Sequence, residues 1–216
     1  RDRSVSRGLG DVYKRQGKKP KAIVPVALYG MPYDCEKIME IANKYEIPVV
    51  EDAAEGFGSK FDGKVLGTFG KFGVLSFNGN KMITTSGGGA LICQNAEDKN
   101  TIMWYATQAR DAYPYYQHTA IGYNYRMSNI CAGIGRGQMT VADAHIAHHK
   151  PVQALYEELL KDVEGIHIHK QPRDSRYDSN FWLCTATIDP DVRIVGQENA
   201  YKEVIKTAVG LSLIHI

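Results

Sequence analysis

The chain has 216 residues, 44% of them apolar and 23% charged, with a formal net charge of +2. This is an ordinary globular balance with ample material for a core. It offers no electrostatic case for nucleic acid or an anionic membrane as partner, and no apolar run is long enough to span a bilayer.

Residues 1–16 are basic and glycine-containing, with no clear hydrophobic period. Residues 5–16 and 211–216 resemble translated sequencing-adapter read-through, so residues 1–16 and 210–216 are expected to be non-native tails. Residues 21–28 read as a buried strand with Pro25 inside it, followed by a turn at Tyr29-Gly30-Met31-Pro32. Asp34 is placed to cap a helix over 35–44, whose apolar stripe is Ile38, Met39, Ile41 and Ala42. Residues 48–52 form the next strand. Strand, helix and strand in so few residues imply a right-handed crossover and parallel pairing. A turn signal lies within 61–65, and 73–77 and 89–93 read as two further strands. Residues 96–110 read as a helix and the tyrosine-rich stretch 113–125 as irregular. A helix is expected over 128–149, weakened by Gly133, Gly135 and Gly137, and helix continues over 152–163. Strands at 166–169 and 182–188 and a helix at 199–208 belong to a second, smaller unit. The boundary between the two units is placed near His149, giving a large domain over 17–149 and a partial small domain over 150–209.

The four cysteines, Cys35, Cys93, Cys131 and Cys184, show no C-x-x-C spacing. Reduced thiols of a cytoplasmic protein are the simpler reading. His145, His148 and His149 fall at i, i+3 and i+4 of the expected helix, which is compatible with a metal face. The glutamate of the zinc-protease signature is missing, so a solvated helix face is preferred and no metal is assigned. Gly87-Gly88-Gly89 lacks the lysine-serine or lysine-threonine pair of a Walker loop and reads as backbone freedom.

The chemistry concentrates at strand ends, where open α/β sheets place their ligands. Lys81 follows one strand in the run Ser76-Phe77-Asn78-Gly79-Asn80-Lys81, and Asp52 ends another. A desolvated, aimed lysine is a good nucleophile toward an aldehyde. A lysine and an aspartate on separate strand ends are the minimum equipment for pyridoxal phosphate (PLP). The lysine forms the imine, and the carboxylate keeps the pyridine nitrogen protonated. Each residue also has a plainer reading: Lys81 as a solvated hairpin lysine, Asp52 as a helix cap for the segment from Ala53. Ser76 has a hydroxyl suited to a phosphate oxygen, or to a backbone partner. Glu55 would lie one helical turn from Asp52, or serve as a capping or surface acid.

Four motifs extend this reading: Glu51-Asp52-Ala53-Ala54-Glu55, Gly67-Thr68-Phe69-Gly70, the lysine segment, and Gly122-Tyr123-Asn124-Tyr125-Arg126-Met127-Ser128-Asn129. Their order and spacing from about residue 22 to 188 resemble the DegT/StrS sugar aminotransferases. The resemblance implies an α/β fold, the large domain of a fold-type I PLP-dependent transferase with part of a small C-terminal α+β domain. It implies PLP as cofactor, with Lys81 as the catalytic lysine and Asp52, Glu55, Ser76 and Asn124 as cofactor contacts. Many relatives carry glutamine at the position of Glu55, against the ring hydroxyl. Asn124 would reach the phosphate of the neighbouring subunit's cofactor in a homodimer. Arg126 would bind phosphate or carboxylate through its fork, or form a structural ion pair. Tyr123 and the neighbouring tyrosines would line a sugar pocket or pack an interface.

The implied reaction moves an amino group from glutamate to a keto-sugar on a nucleotide. The wording around Lys81 is closest to members acting on a UDP-4-keto-6-deoxy sugar for bacterial surface glycan or polysaccharide. A PLP-dependent sugar dehydratase is the second reading, but dehydratase relatives carry histidine in place of this lysine, so Lys81 argues against it. A full family member begins well before Ala22 and continues further at the back. The chain is therefore expected to be a fragment that binds PLP poorly and has little activity alone, and a catalytically incompetent remnant is the third reading.

Overall fold

The computed structural model describes residue 17 and residues 19–189. The expected terminal tails and the expected helix at 199–208 lie outside the described residues.

Helix α1 (Cys35–Tyr45) begins where the sequence places it. The Asp34 carboxylate accepts the Lys37 amide at 3.1 Å, and Glu46 closes the helix in the left-handed region at φ 50°. Strand β1 (Val50–Asp52) then runs parallel to β4 (Phe72–Ser76), with Asp52 opposite Val74. Antiparallel to β4 lies β5 (Gly89–Cys93), pairing Val74 with Leu91 and Ser76 with Gly89.

Residues 21–28 are not the continuous buried strand that their apolar run suggests. They join β1 by two isolated parallel bridges, Ile23 to Val49 and Val26 to Asp52. Pro25 sits between them and has no N–H for a ladder. Val24 and Val26 are 58% and 47% exposed.

The two faces of this sheet differ. Val49, Glu51 and Ala53 are buried on one face. Val26, Asp52, Val74 and Leu91 lie in one row across the other, where the three apolar members are substantially exposed. Alternation along a strand sends adjacent residues to opposite faces, so Glu51 and Asp52 serve different ends.

The buried face packs on a small core of Ala27, Cys35, Ala53, Phe61 and Leu66. Hairpin β2 (Lys60–Phe61) and β3 (Lys64–Val65) closes it. Tyr177 meets the Phe61 ring edge to face at 5.0 Å. Burying a ring of that size stabilises by roughly 1.5–3 kcal/mol. Tyr177 belongs to β7 (Tyr177–Asp178), which no apolar run signals and which pairs antiparallel with β2. A late segment of the chain thus completes a sheet begun by an early one.

Helix α2 (Ala96–Ala106) ends four residues before the expected 110, where Thr107 turns its amide and hydroxyl back onto Met103 O. The expected helix 128–149 is two helices, α3 (Asn129–Met139) and α4 (Ala142–Leu159). The break falls at Thr140 and Val141, after the weakly helical run Gly133 to Gly137. Pro151, the stronger breaker by type, sits inside α4, which also runs unbroken through His149. Strands β6 (Ile166–Ile168) and β8 (Ala186–Ile188) pair antiparallel. Residues 182–185, expected as strand, precede β8 as a bend and irregular backbone.

Candidate active site

Asp52 and Ser76 lie on the open face of the sheet at the C-terminal ends of the parallel strands β1 and β4. Asp52 accepts the Ala54 amide at 3.1 Å. No helix starts there, so the capping reading fails, and Glu55 is not brought near Asp52 by a helical turn. The Ser76 hydroxyl accepts the Asn78 amide at 3.4 Å.

Beyond β4 the ladder continues through the Phe77 amide to Gly88 O (3.0 Å), while Thr85 N returns to Phe77 O (2.9 Å). The intervening loop turns at Asn78, whose carbonyl accepts the Lys81 amide at 3.1 Å. This loop carries Lys81 inward. Its side chain is 14% exposed, so the solvated-hairpin reading does not hold. The Lys81 amine lies 3.4 Å from Glu55 Oε1 and 4.3 Å from the centre of the Trp182 ring. Glu55 Oε2 in turn accepts the Tyr29 amide at 2.6 Å.

Three further residues shape the site, and the sequence did not single them out. Glu51 is fully buried. Oε2 accepts Tyr33 Oη (2.9 Å) and Gly67 N (2.8 Å), while Oε1 accepts the amides of Phe69 and Gly70, the latter at 2.7 Å. The Gly67-Thr68-Phe69-Gly70 motif is therefore a cradle of backbone N–H groups for a carboxylate of the protein itself. Gly67 takes φ +86°, which favours glycine. Burial and the Glu51 carboxylate hold the Tyr33 phenol well above its usual range. Trp182 and Asn180 are the other two, from a segment about a hundred residues beyond Lys81. Their only sequence signal is a tryptophan in an expected strand, which says nothing of what it meets.

Tyr123, Asn124 and Arg126 occupy a separate, exposed stretch. Asn124 bridges to Thr107, and the Tyr123 and Tyr125 rings stack at 5.0 Å. Among the described residues Arg126 has no ion pair within 4 Å, and none of the three bonds to Lys81, Asp52, Glu55 or Ser76.

The histidines of α4 are not a uniformly solvated face. His149 Nδ1 is 3.0 Å from Phe181 O, and His145 Nδ1 is 3.4 Å from Met82 O. Burial pushes His149 below the ordinary histidine range. No group of three potential metal ligands occurs among the described residues. A cleft of about 400 Å³ opens beside Pro48, Val49 and Lys71, at the opposite end of the sheet from Asp52. None of the site residues lines it, and chemistry rather than concavity locates the site.

The donor set suits PLP: a primary amine for its aldehyde, a strand-end carboxylate for its ring nitrogen and a hydroxyl for its phosphate. An α/β sheet presenting these groups at its C-terminal strand ends defines the class of fold-type I PLP-dependent transferases.

The model of the DegT/DnrJ/EryC1/StrS aminotransferase family matches residues 12–213, and the chain belongs to that PLP-dependent family. EpsN of Bacillus subtilis (strain 168) is 42% identical over 176 residues, covering 82% of this chain and 45% of EpsN. GDP-perosamine synthase of Escherichia coli O157:H7 is 39% identical over 177 residues, 82% of this chain and 48% of that protein. The crystal structure of a DegT DnrJ EryC1 StrS aminotransferase from Brucella abortus superposes with a TM-score of 0.75 at 26% identity, covering 83% of this chain and 48% of that one. The chain thus spans about half the length of these relatives.

Proposed function

We propose that the protein to which this chain belongs is a PLP-dependent aminotransferase that moves an amino group from glutamate to a keto-sugar carried on a nucleotide. The observation that carries the proposal is the half-buried Lys81 amine beside Glu55, following a strand whose end presents Ser76 on the same sheet face as Asp52. Family membership and a relative named GDP-perosamine synthase support the substrate class.

When bound, PLP supplies an aldehyde and an electron-withdrawing ring. Lys81 would hold that aldehyde and would carry the proton to and from the amino-bearing carbon. Asp52 would keep a proton on the ring nitrogen by its charge. Ser76 would donate to a phosphate oxygen. Glu55 orients the Lys81 amine whenever that amine is protonated. Asn124, Arg126 and Tyr123 are exposed on one stretch, which suits contributing to a neighbouring subunit's site and to the sugar nucleotide in a homodimer.

The nucleotide is taken as uridine diphosphate and the sugar as a 4-keto-6-deoxyhexose, on the wording around Lys81. The guanosine diphosphate in the E. coli relative's name is the competing choice. The product would enter bacterial surface glycan, and the enzyme would be cytoplasmic. No described helix is long and apolar enough to cross a membrane.

The test uses the full-length parent protein with PLP, glutamate and either UDP- or GDP-linked 4-keto-6-deoxyhexose. Amino-sugar product that requires both glutamate and Lys81 supports the proposal, and the preferred nucleotide settles the base. Water loss from the sugar without net amine transfer would make the protein a dehydratase. Failure of this chain alone to turn over, with an active parent, is the result expected of an incomplete site.

A further inference from the structure

The indole of Trp182 touches the lysine loop twice. Its Nε1–H donates to Asn80 O at 2.7 Å, and its ring centre lies 4.3 Å from the Lys81 amine. One side chain therefore grips both the backbone just before Lys81 and the head of Lys81 itself. A lysine ammonium over an indole face is attracted by the ring quadrupole, the more so where water is kept away. Trp182 is only 9% exposed.

The segment that carries Trp182 is fixed hard to the early part of the chain. Asn180 is fully buried. Its Nδ2 donates to Glu55 O (2.8 Å) and Phe57 O (2.9 Å), and its Oδ1 accepts the Trp182 amide at 2.8 Å. The Asn180 amide donates to Ser59 Oγ at 2.9 Å, and Ser179 Oγ donates to Gly30 O at 3.0 Å. Gly30 sits at φ +90°, where any side chain would collide with Asn180. From the other side His149 holds Phe181 O. Asn180 thus secures the backbone of Glu55 while Trp182 secures the loop of Lys81, so one short segment sets both members of the ion pair.

We propose that Trp182 is a positioning residue for Lys81, fixing the direction in which the lysine amine projects through its indole face and its hydrogen bond to Asn80. Residues 179–182 thereby couple the late part of the chain to the reactive lysine. The proposal rests on the reading of Lys81 as the cofactor lysine, and its test separates the two.

In the full chain, acetylation of Lys81 by an N-hydroxysuccinimide acetate is followed by mass spectrometry against the exposed Lys60. Trp182→Leu removes both contacts and is expected to raise the Lys81 rate about ten-fold relative to Lys60, the scale of a desolvated cation–π contact. Trp182→Phe keeps a ring and is expected to raise it about three-fold. Lys81 rates within about two-fold of the parent in both variants overturn the proposal. If Trp182→Leu exposes every lysine by unfolding, a measurement that keeps the indole decides. In a Trp104→Phe background, which leaves Trp182 as the remaining tryptophan, Lys81→Met should shift the indole emission, and unchanged emission overturns the proposal. Independently, borohydride fixation of PLP on Lys81 in the full-length parent protein reports on the cofactor reading. A PLP adduct absent from Lys81, with an intact Trp182 effect, sinks that reading and leaves the contact standing.

Discussion

Lys81 and Glu55 form an ion pair at 3.4 Å, with side chains only 14% and 20% exposed. The two residues are separated by 26 positions and belong to different motifs. The pair lies between the buried regime, where desolvation is large, and the surface regime, where a pair contributes little. Its second anchor, the Tyr29 amide on Glu55 Oε2, fixes the carboxylate whether or not the lysine is in place.

Glu55→Gln keeps an acceptor for Tyr29 and removes the charge facing Lys81. The expected loss is about 1 kcal/mol in urea unfolding, accompanied by faster acetylation of Lys81. Unchanged stability together with unchanged Lys81 labelling would show that the pair does not hold the amine.

Glu51 is expected to matter more to stability than any residue of the proposed chemistry. Glu51→Gln turns an amide N–H₂ toward at least one backbone N–H, that of Gly67 in one orientation or those of Phe69 and Gly70 in the other. Glu51→Ala leaves the amides of Gly67, Phe69 and Gly70 buried without an acceptor. A loss of about 2–4 kcal/mol is expected for either, read from the midpoint of denaturant unfolding. A change below about 0.5 kcal/mol, the usual range of surface substitutions, would contradict the cradle.

His149 gives the fold a pH dependence of definite sign. Burial chiefly lowers its proton affinity, and the nearby His148 and His145 lower it further when charged, against the raising effect of the Phe181 carbonyl. Above the ordinary value of 6.5 both folded and unfolded forms are neutral, and the full stability is present. As pH falls through that value, the unfolded chain takes the proton first and stability declines until the lower folded value is passed. His149→Gln should flatten the decline in stability as pH falls below the ordinary value of 6.5. An unaltered profile would remove His149 as its source.

The cysteines divide by environment rather than by spacing. Cys35 is fully buried in the core, where desolvation pushes its thiol up to about 12, and Cys184 is pushed up to about 11 for the same reason. At mildly alkaline pH both should resist iodoacetamide while Cys93 and Cys131 alkylate. Peptide mapping after a short exposure checks this, and early labelling of Cys35 would contradict its burial.

Much of this arrangement was readable beforehand where the signal is local. The Asp34 cap, the β-branched strand ending at Asp52 and the strands flanking the lysine loop each depend on residues adjacent in sequence. What was not readable depends on distant partners. Val24 and Val26 look buried because they are apolar, yet exposure depends on what covers the sheet. Glu51 and Asp52 are neighbouring acids, and only the three-dimensional register shows that one is structural and the other faces the open side. The helix breaks at Thr140 and Val141 while Pro151 stays inside α4, the reverse of what the two residue types alone suggest. Trp182 reaches Lys81 across about a hundred residues, which no periodicity encodes.

The most direct test of the central claim is to incubate the full-length parent protein with PLP, reduce with borohydride, and map the modified peptide by mass spectrometry. The account predicts a cofactor adduct concentrated on Lys81, lost from that peptide in Lys81→Ala and weakened in Asp52→Ala. Adducts spread over exposed lysines such as Lys60 and Lys71, with none on Lys81, would contradict it.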